Sequence, residues 1–163
     1  MNLGPYVLPA ECFVQPWFRV DHDFVIVDLS QTGPEITALH LPPVPVIGIG
    51  APSHPLASQL DMLVPTEEAA FRSAQNILAN PMSAALLVQL LRRIEKCSVA
   101  EGLHLESLTY SVLQGGAEHG SWLGRPREMA AHTKGNICGE RRDALMTIHL
   151  DRPDAYNQID RFM

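Results

Sequence analysis

The chain has 163 residues, which is close to one average domain and long enough to bury a hydrophobic core without disulfide support. Hydrophobic residues make up 46% and charged residues 18%, a balance that argues against a disordered chain. The formal net charge of −6 argues against a nucleic-acid-binding protein, because such proteins gain affinity from clustered Lys and Arg. No apolar run reaches the ~18 residues of a membrane span, so we expect neither nucleic acid nor membrane as partner.

The first third of the chain predicts an arm followed by parallel strands. Residues 1–22 are interrupted by prolines and rich in aromatic residues, which indicates an extended arm over a core. Residues 24–29 and 44–49 are continuous apolar runs rich in β-branched residues, as in strands buried on both faces. The 14 residues between these runs leave room for the short crossover helix that a parallel pair requires. Residues 60–64 are a candidate third strand.

Three helices are predicted after these strands. Thr66 is in position to cap the first helix, which ends at Asn80. Asn80 is then expected to cap the second helix with its side chain, so that its replacement by alanine would cost about 1 kcal/mol. Ser98 and Glu101 have the spacing of a capping box at the start of the third helix. That helix is expected to end near residues 115–116.

The last forty residues predict a linker, then a strand and the start of a helix. Residues 124–143 combine Arg, Lys, Gly and Pro, a composition typical of a linker. Residues 144–150 alternate in the manner of a strand, and Asn157 could cap a helix after the following turn. Met163 falls one turn into that helix, which is too short to be stable alone, so we expect a truncation point there.

The cysteines and histidines indicate no metal or disulfide chemistry. Cys12, Cys97 and Cys138 are odd in number and far apart, which argues against a disulfide framework and a zinc site and favours a reducing cytoplasm. The seven histidines lack the i, i+4 spacing of a helical metal site, so no metal ligand is predicted.

A family resemblance rests on residues 147–159, with the sequence Thr-Ile-His-Leu-Asp-Arg-Pro-Asp-Ala-Tyr-Asn-Gln-Ile. This segment resembles the opening signature of the enoyl-CoA hydratase/isomerase (crotonase) family, in which a strand runs into a Leu-Asn-Arg-Pro-x-x-x-Asn-Ala turn before the first helix. Asp151 stands where the family usually has Asn, and Gln158 where it usually has Ala. The residues that match in type and spacing are Arg152, Pro153, Ala155 and Asn157.

Earlier residues resemble the middle and end of the same family. Residues 45–61 are similar to its central strand and glycine-rich helix start, and residues 80–84 and 101–111 to the C-terminal helices that pack its subunits. The sequence Ser53-His54-Pro55 replaces consecutive glycines at a place where a backbone N–H holds the enolate oxygen. Because proline has no N–H, the resemblance implies that this half is catalytically inactive.

The resemblance implies an α/β chain with a partial crotonase-like (ClpP/crotonase) fold, in which short parallel strands are followed by three helices. It also implies three parts. Residues 1–123 would be a degenerate crotonase-like domain with its N-terminal arm, and residues 124–143 a linker. Residues 144–163 would be the first strand and helix start of a second crotonase-like domain.

The implied substrate is an acyl-CoA thioester, with coenzyme A as part of the substrate and no other cofactor. The family's turn after this strand runs along the CoA nucleotide, so Asp154, Ala155 and Tyr156 are the candidate CoA-binding residues. A basic residue that the family often has at the position of Asp154 is missing. A nucleotide contact and a purely structural turn therefore both stay open, and no residue of the chain receives a catalytic role.

Three other groupings could carry chemistry but have simpler explanations. Glu101 and Glu106 are five residues apart, which is not one face of a helix. His54 and Asp61 could form an acid–base dyad, or be a turn histidine and a solvated or capping aspartate. The basic stretch 125–142 could dock CoA phosphates or an acidic partner, or be a solvated linker.

The leading hypothesis is an enoyl-CoA hydratase/isomerase-family protein that stabilises an acyl-CoA enolate, of which this chain is an incomplete part without turnover of its own. The alternative is a non-catalytic module whose helices, within residues 66–123, bind a partner subunit or form a homo-oligomer.

Overall fold

The computed structural model describes residues 2–16, 18–124, 134–153 and 157. The chain divides into two compact units between Leu123 and Gly124. The strands are β1 (Val25–Asp28), β2 (Val46–Ile49), β3 (Met62–Val64), β4 (Asn136–Arg142) and β5 (Leu145–Asp151). The α-helices are α1 (Glu67–Ala79), α2 (Pro81–Ile94), α3 (Val99–Gln114) and α4 (Ala117–Leu123).

The first unit contains a three-stranded parallel sheet in the order β1, β2, β3. Val25 lies opposite Val46, and Ile47 lies opposite Met62, which confirms the predicted parallel strands. The predicted crossover helix between β1 and β2 is wrong. Only a 3₁₀ turn, Leu29–Gln31, follows β1, because glycine and proline interrupt the chain directly after it.

Both faces of this sheet are buried, as the continuous apolar runs predict. Alternate residues of β1 point to opposite faces. Val25 and Val27 belong to one hydrophobic cluster, whereas Phe24 and Ile26 belong to another on the other face. Helix α1 covers this second face with the buried side chains of Ala70, Ala74 and Ile77.

The N-terminal arm is part of the core. It contains two 3₁₀ turns, Gly4–Tyr6 and Ala10–Phe13, where the sequence predicts an extended segment. The ring of Tyr6 stacks on that of Phe24 with 4.4 Å between the centroids, and Phe13 is fully buried. The arm therefore contributes large aromatic side chains to both clusters of a small sheet.

The helix boundaries follow the predicted capping residues. Thr66 Oγ1 accepts a hydrogen bond from Ala69 N at 3.2 Å at the start of α1. At the start of α3, Glu101 Oε2 accepts from Ser98 N at 2.9 Å while Ser98 Oγ accepts from Glu101 N, so the capping box is confirmed. Helix α3 ends before Gly115, also as predicted.

The expectation of three helices is wrong, because a fourth, α4, follows the glycine pair at residues 115–116. The two glycines end α3, and the chain begins a new helical turn that carries Glu118 near its start. A negative side chain at this place favours the new helix through its dipole.

The second unit contains the antiparallel pair β4 and β5, with Asn136 opposite Asp151 and Arg142 opposite Leu145. The predicted linker is therefore wrong for residues 136–142, which form a strand. Composition misleads here because the ladder partner, and not the Arg- and Gly-rich sequence itself, holds these residues extended. Asp143 adopts φ 56° in the two-residue connection, a left-handed conformation that Asp tolerates better than most residues.

Arg92 joins helix α2 to the residues that flank the sheet strands, in addition to the packing of Ala84 against the second hydrophobic cluster. Arg92 Nε donates a hydrogen bond to Asp61 Oδ1 at 2.7 Å, and Arg92 Nη2 contacts Asp61 Oδ2. Asp61 Oδ2 also accepts from Val46 N at 2.8 Å, at the first residue of β2. The Asp61 side chain is only 9% exposed, so this ion pair is shielded from bulk water.

The same helix supplies hydrogen bonds to the proline-rich loop before β2. Three of the four residues in 42–45 are proline and have no N–H, so their segment cannot form an ordinary hydrogen-bonded turn. Arg92 donates to Pro42 O at 2.6 Å and to Val44 O at 3.0 Å. Gln89 Nε2 donates to Pro43 O at 3.2 Å, and Val25 N to Pro45 O at 2.9 Å. All four successive carbonyl groups are thereby satisfied.

We expect replacement of Asp61 by alanine to lower the free energy of unfolding by about 2 to 3 kcal/mol, because it leaves the Arg92 charge without its ion-pair partner and Val46 N without an acceptor. The matched control is Glu68→Ala, which removes an exposed ion pair with Arg72 and should cost less than about 0.5 kcal/mol. Chemical denaturation of the two variants measures both values. Equal destabilisation would contradict the role of the buried pair.

Candidate functional site

Of the family-like segment, the structure describes the strand residues as far as Asp151 and, after β5, Arg152, Pro153 and Asn157. Arg152 N donates to Asn157 Oδ1 at 2.7 Å, and Asn157 N donates back to Arg152 O at 2.9 Å. Asn157 adopts φ 56°, a left-handed conformation in which Asn is enriched. Arg152 is only 4% exposed. Arg152 and Asn157, two of the four residues on which the family resemblance rests, are thus joined by reciprocal hydrogen bonds.

The three predicted CoA-binding residues, Asp154, Ala155 and Tyr156, lie outside the described residues, as does the segment 158–163 where the predicted helix would follow. Of the basic stretch, residues 125–133 also lie outside. Arg142, at the end of β4, is exposed and lies 3.5 Å from Glu140. The described part of this stretch thus belongs to a solvated strand.

Of the two alternatives for His54 and Asp61, the acid–base dyad does not form and His54 is a turn histidine. His54 Nδ1 accepts a hydrogen bond from Leu56 N at 3.2 Å within its own turn. Both oxygens of Asp61 are engaged by Arg92 and by Val46 N. A neutral imidazole that accepts at Nδ1 carries its proton at Nε2, so His54 is not poised as a base through Nε2.

A cleft of about 390 Å³ lies at the carboxyl ends of β1 and β2, and Ser30, Ser53 and His54 line it. Asp28 ends β1 beside it, and the hydrogen bonds from Ser30 lower the pKa of its carboxyl group. The Ser30 Oγ to Asp28 Oδ1 distance is 2.7 Å. This carboxylate is held by its own turn, which gives it a structural function.

Glu101 and Glu106 do not act as an acid–base pair. The Glu101 carboxylate is bound by Ser98 in the capping box, and these hydrogen bonds lower the pKa of Glu101. A general acid at neutral pH needs the opposite shift. The structure therefore assigns Glu101 to the start of α3, as the spacing predicts.

A second cleft, of about 340 Å³, lies among α2, α3 and α4 and is mainly aromatic and polar. The rings of His119 and Trp122 are 5.5 Å apart between centroids and tilted by 30°. Tyr110 lines the same cleft and accepts a hydrogen bond at its hydroxyl from Gln114 Nε2 at 3.1 Å. We call this feature the helical cleft; the residues lining it are Asn80, Ser83, Tyr110, Leu113, Gln114, Glu118, His119 and Trp122.

Glu118 joins α4 to the first turn of α2. Its carboxylate accepts hydrogen bonds from Met82 N at 2.7 Å, from Ser83 N at 2.9 Å and from Ser83 Oγ at 2.5 Å. Burial raises the pKa of Glu118, but the hydrogen bonds from Ser83 and Met82 outweigh it and leave the pKa lower than usual. The carboxylate thus remains ionised against the positive end of the α2 dipole.

The prediction that the Asn80 side chain caps α2 is wrong. Asn80 occupies the N-cap position, but its side chain makes no capping hydrogen bond. Glu118 takes the two backbone N–H groups that a capping side chain would have bound. The reason is that a charged acceptor from another helix forms stronger hydrogen bonds than a neutral amide.

Within the described residues, no group of three or more His, Cys, Asp or Glu side chains could hold a metal ion. Cys12, Cys97 and Cys138 are unpaired thiols. In the same part of the chain, none of the helices combines the length and hydrophobicity that crossing a membrane requires.

Comparison of the chain with protein-family models, with curated proteins and with solved structures gave no match. The family resemblance therefore stays a prediction that rests on the residues quoted for it.

The residues that hold the helices in place could not be predicted from the sequence. Arg92 and Glu118 bind partners 31 and 35 positions away in the chain, and no local pattern marks such pairs. The only signal was indirect: α2 lacks an acidic residue in its first turn, and α4 begins with one.

We expect Glu118→Gln to lower the free energy of unfolding by about 1 kcal/mol at pH 7, through weaker hydrogen bonds at the start of α2. Asn80→Ala should change it by less than about 0.5 kcal/mol, since that side chain does not cap the helix. Denaturation midpoints of both variants test the assignment, and a larger loss for Asn80→Ala would refute it.

The effect of Glu118 should also depend on pH. Because its pKa is lower in the folded than in the unfolded chain, its stabilisation is present above the ordinary glutamate pKa of about 4.3 and is lost as the pH falls through the lowered value. The difference in unfolding free energy between the natural chain and Glu118→Gln should shrink in this acidic range. A difference that stays constant down to pH 3 would show that the charge of Glu118 is not involved.

Proposed function

We propose that this chain is part of an enoyl-CoA hydratase/isomerase-family protein that acts on acyl-CoA thioesters, and that the turn 152–157 contacts the CoA nucleotide. The observation that carries the proposal is the closed turn after β5. A strand runs directly into it, and Arg152 and Asn157, two of the residues that match the family signature, bind each other reciprocally. The sequence match therefore corresponds to a defined hydrogen-bonded feature.

The chemistry of such a protein is stabilisation of a thioester enolate by backbone N–H donors. We assign no catalytic residue to this chain. Glu101 is bound in the capping box and Asp61 in the ion pair with Arg92, and His54 accepts a hydrogen bond within its own turn. The proposed contribution of the chain is to bind coenzyme A, with the 152–157 turn held in shape by Arg152 and Asn157.

We expect saturable binding of crotonyl-CoA to the full chain in a calorimetric titration, without conversion of the thioester. Asn157→Ala should weaken the binding about tenfold, because alanine has no side-chain acceptor for Arg152 N and disfavours a positive φ. The matched control is Asn136→Ala, at an exposed asparagine of β4. Absence of saturable binding, or equal affinity of the two variants, would contradict the proposal.

A second candidate function is subunit association through the helices, and the exposure of their apolar side chains favours it. Neither α2 nor α3 contains a fully buried residue. On α3, Val99 is 81% exposed, and Leu103 and Tyr110 are each 61% exposed. At 100° per residue these three side chains fall within about 40° of arc, so they form one apolar stripe. A stripe of this kind is typical of a surface that a partner covers.

If this stripe joins copies of the chain, the molar mass from light scattering should exceed that of a monomer and rise with concentration. Leu103→Asp should shift the chain towards the monomer, because it introduces a charge into the apolar contact. His104→Asp adds the same charge at an exposed position about 100° away on the helix and should leave the association unchanged. A monomer at all concentrations would rule out self-association by this surface.

A further inference from the structure

The helical cleft combines aromatic rings with a negative charge. Among the described residues that line it there is one carboxylate, that of Glu118, and none of these described residues is Lys or Arg. The hydrogen bonds to Glu118 keep its carboxylate ionised, and the dipole at the start of α2 offsets only about half of one charge. The cleft therefore keeps a negative potential within a chain whose net charge is −6.

Three aromatic side chains line the same cleft as this carboxylate. Tyr110, His119 and Trp122 line the cleft, and the rings of His119 and Trp122 are tilted by 30° with centroids 5.5 Å apart. The face of an aromatic ring carries negative electrostatic potential and attracts a cation within about 6 Å of its centre, most strongly for Trp. The rings and the carboxylate thus both favour a positively charged ligand.

The other features of the cleft argue against a phosphate ligand and favour a small one. The first N–H groups of α2 are already bound by Glu118, so the helix start has no N–H donors left there to hold a phosphate. The volume of about 340 Å³ is large enough for a quaternary ammonium group and is much smaller than a folded segment would need. Asn80 contributes an amide that does not cap α2.

We propose that the helical cleft binds a small organic cation of the quaternary ammonium class, held by the faces of Tyr110 and Trp122 and by the charge of Glu118. This site is separate from the proposed CoA contact and does not depend on it. The cation would rest between α3 and α4 and would stabilise the contact of α4 with α2.

The test is a nuclear magnetic resonance titration of the full chain with tetramethylammonium chloride. The reporter is the indole signal of Trp122, assigned by its loss in Trp122→Phe. We expect a saturable shift of this signal. Tert-butanol, which has nearly the same size and no charge, and sodium chloride at equal ionic strength should give no saturable shift. Saturation by tert-butanol to the same extent would overturn the proposal, since the cleft would then be only apolar.

Variants of Tyr110 test the site itself. Tyr110→Leu should weaken tetramethylammonium binding about three- to fivefold, because it removes one ring face. Tyr110→Phe keeps the ring face and should bind as the natural chain does. Leu91→Ala, at an exposed position of α2 outside the cleft, should leave the affinity unchanged. Equal binding by Tyr110→Leu and the natural chain, or no saturable binding of the cation at all, would contradict the proposal.

Discussion

The first unit depends on the hydrogen bonds and the ion pair that the guanidinium group of Arg92 forms. A loop with three prolines in residues 42–45 leads into the central strand, and its carbonyl groups need donors that proline cannot supply. Arg92 donates to two of them and forms an ion pair with Asp61, which itself holds Val46 N. Lysine could not replace it, because an ammonium group lacks the planar fork that reaches a carboxylate and two carbonyl groups together.

Several apolar side chains of α2 and α3 stay exposed beside this polar attachment, among them Leu91 and Leu103. Helix α1 buries alanines and an isoleucine on the sheet, whereas α2 and α3 contain no fully buried side chain. Glu118 then fixes α4 to the start of α2 and creates the helical cleft. The proposed association surface and the proposed cation site are therefore two consequences of one arrangement, in which α2 is held at its end by Arg92 and at its start by Glu118.

Features that depend on neighbouring residues could be predicted from the sequence. The parallel strands follow from continuous apolar runs, and the caps at Thr66 and Ser98 follow from spacings of three residues. Features that depend on distant residues could not. Arg92 and Glu118 bind partners that lie 31 and 35 positions away in the chain. The composition of β4 indicates a linker, but pairing with β5 holds these residues extended. At the candidate CoA site the signature locates the turn, and the reciprocal bonds of Arg152 and Asn157 supply a physical reason for two of its positions.

The central claim is that Arg92 anchors the helical part of the first unit to its sheet. Amide hydrogen exchange of the Arg92→Lys variant measures this most directly, because it reports each element separately. We expect amides of α2 and α4 to exchange faster than in the natural chain, while those of β1 keep their protection between the two hydrophobic clusters. Unchanged protection of α2, or an equal loss of protection in β1 and α2, would contradict that claim.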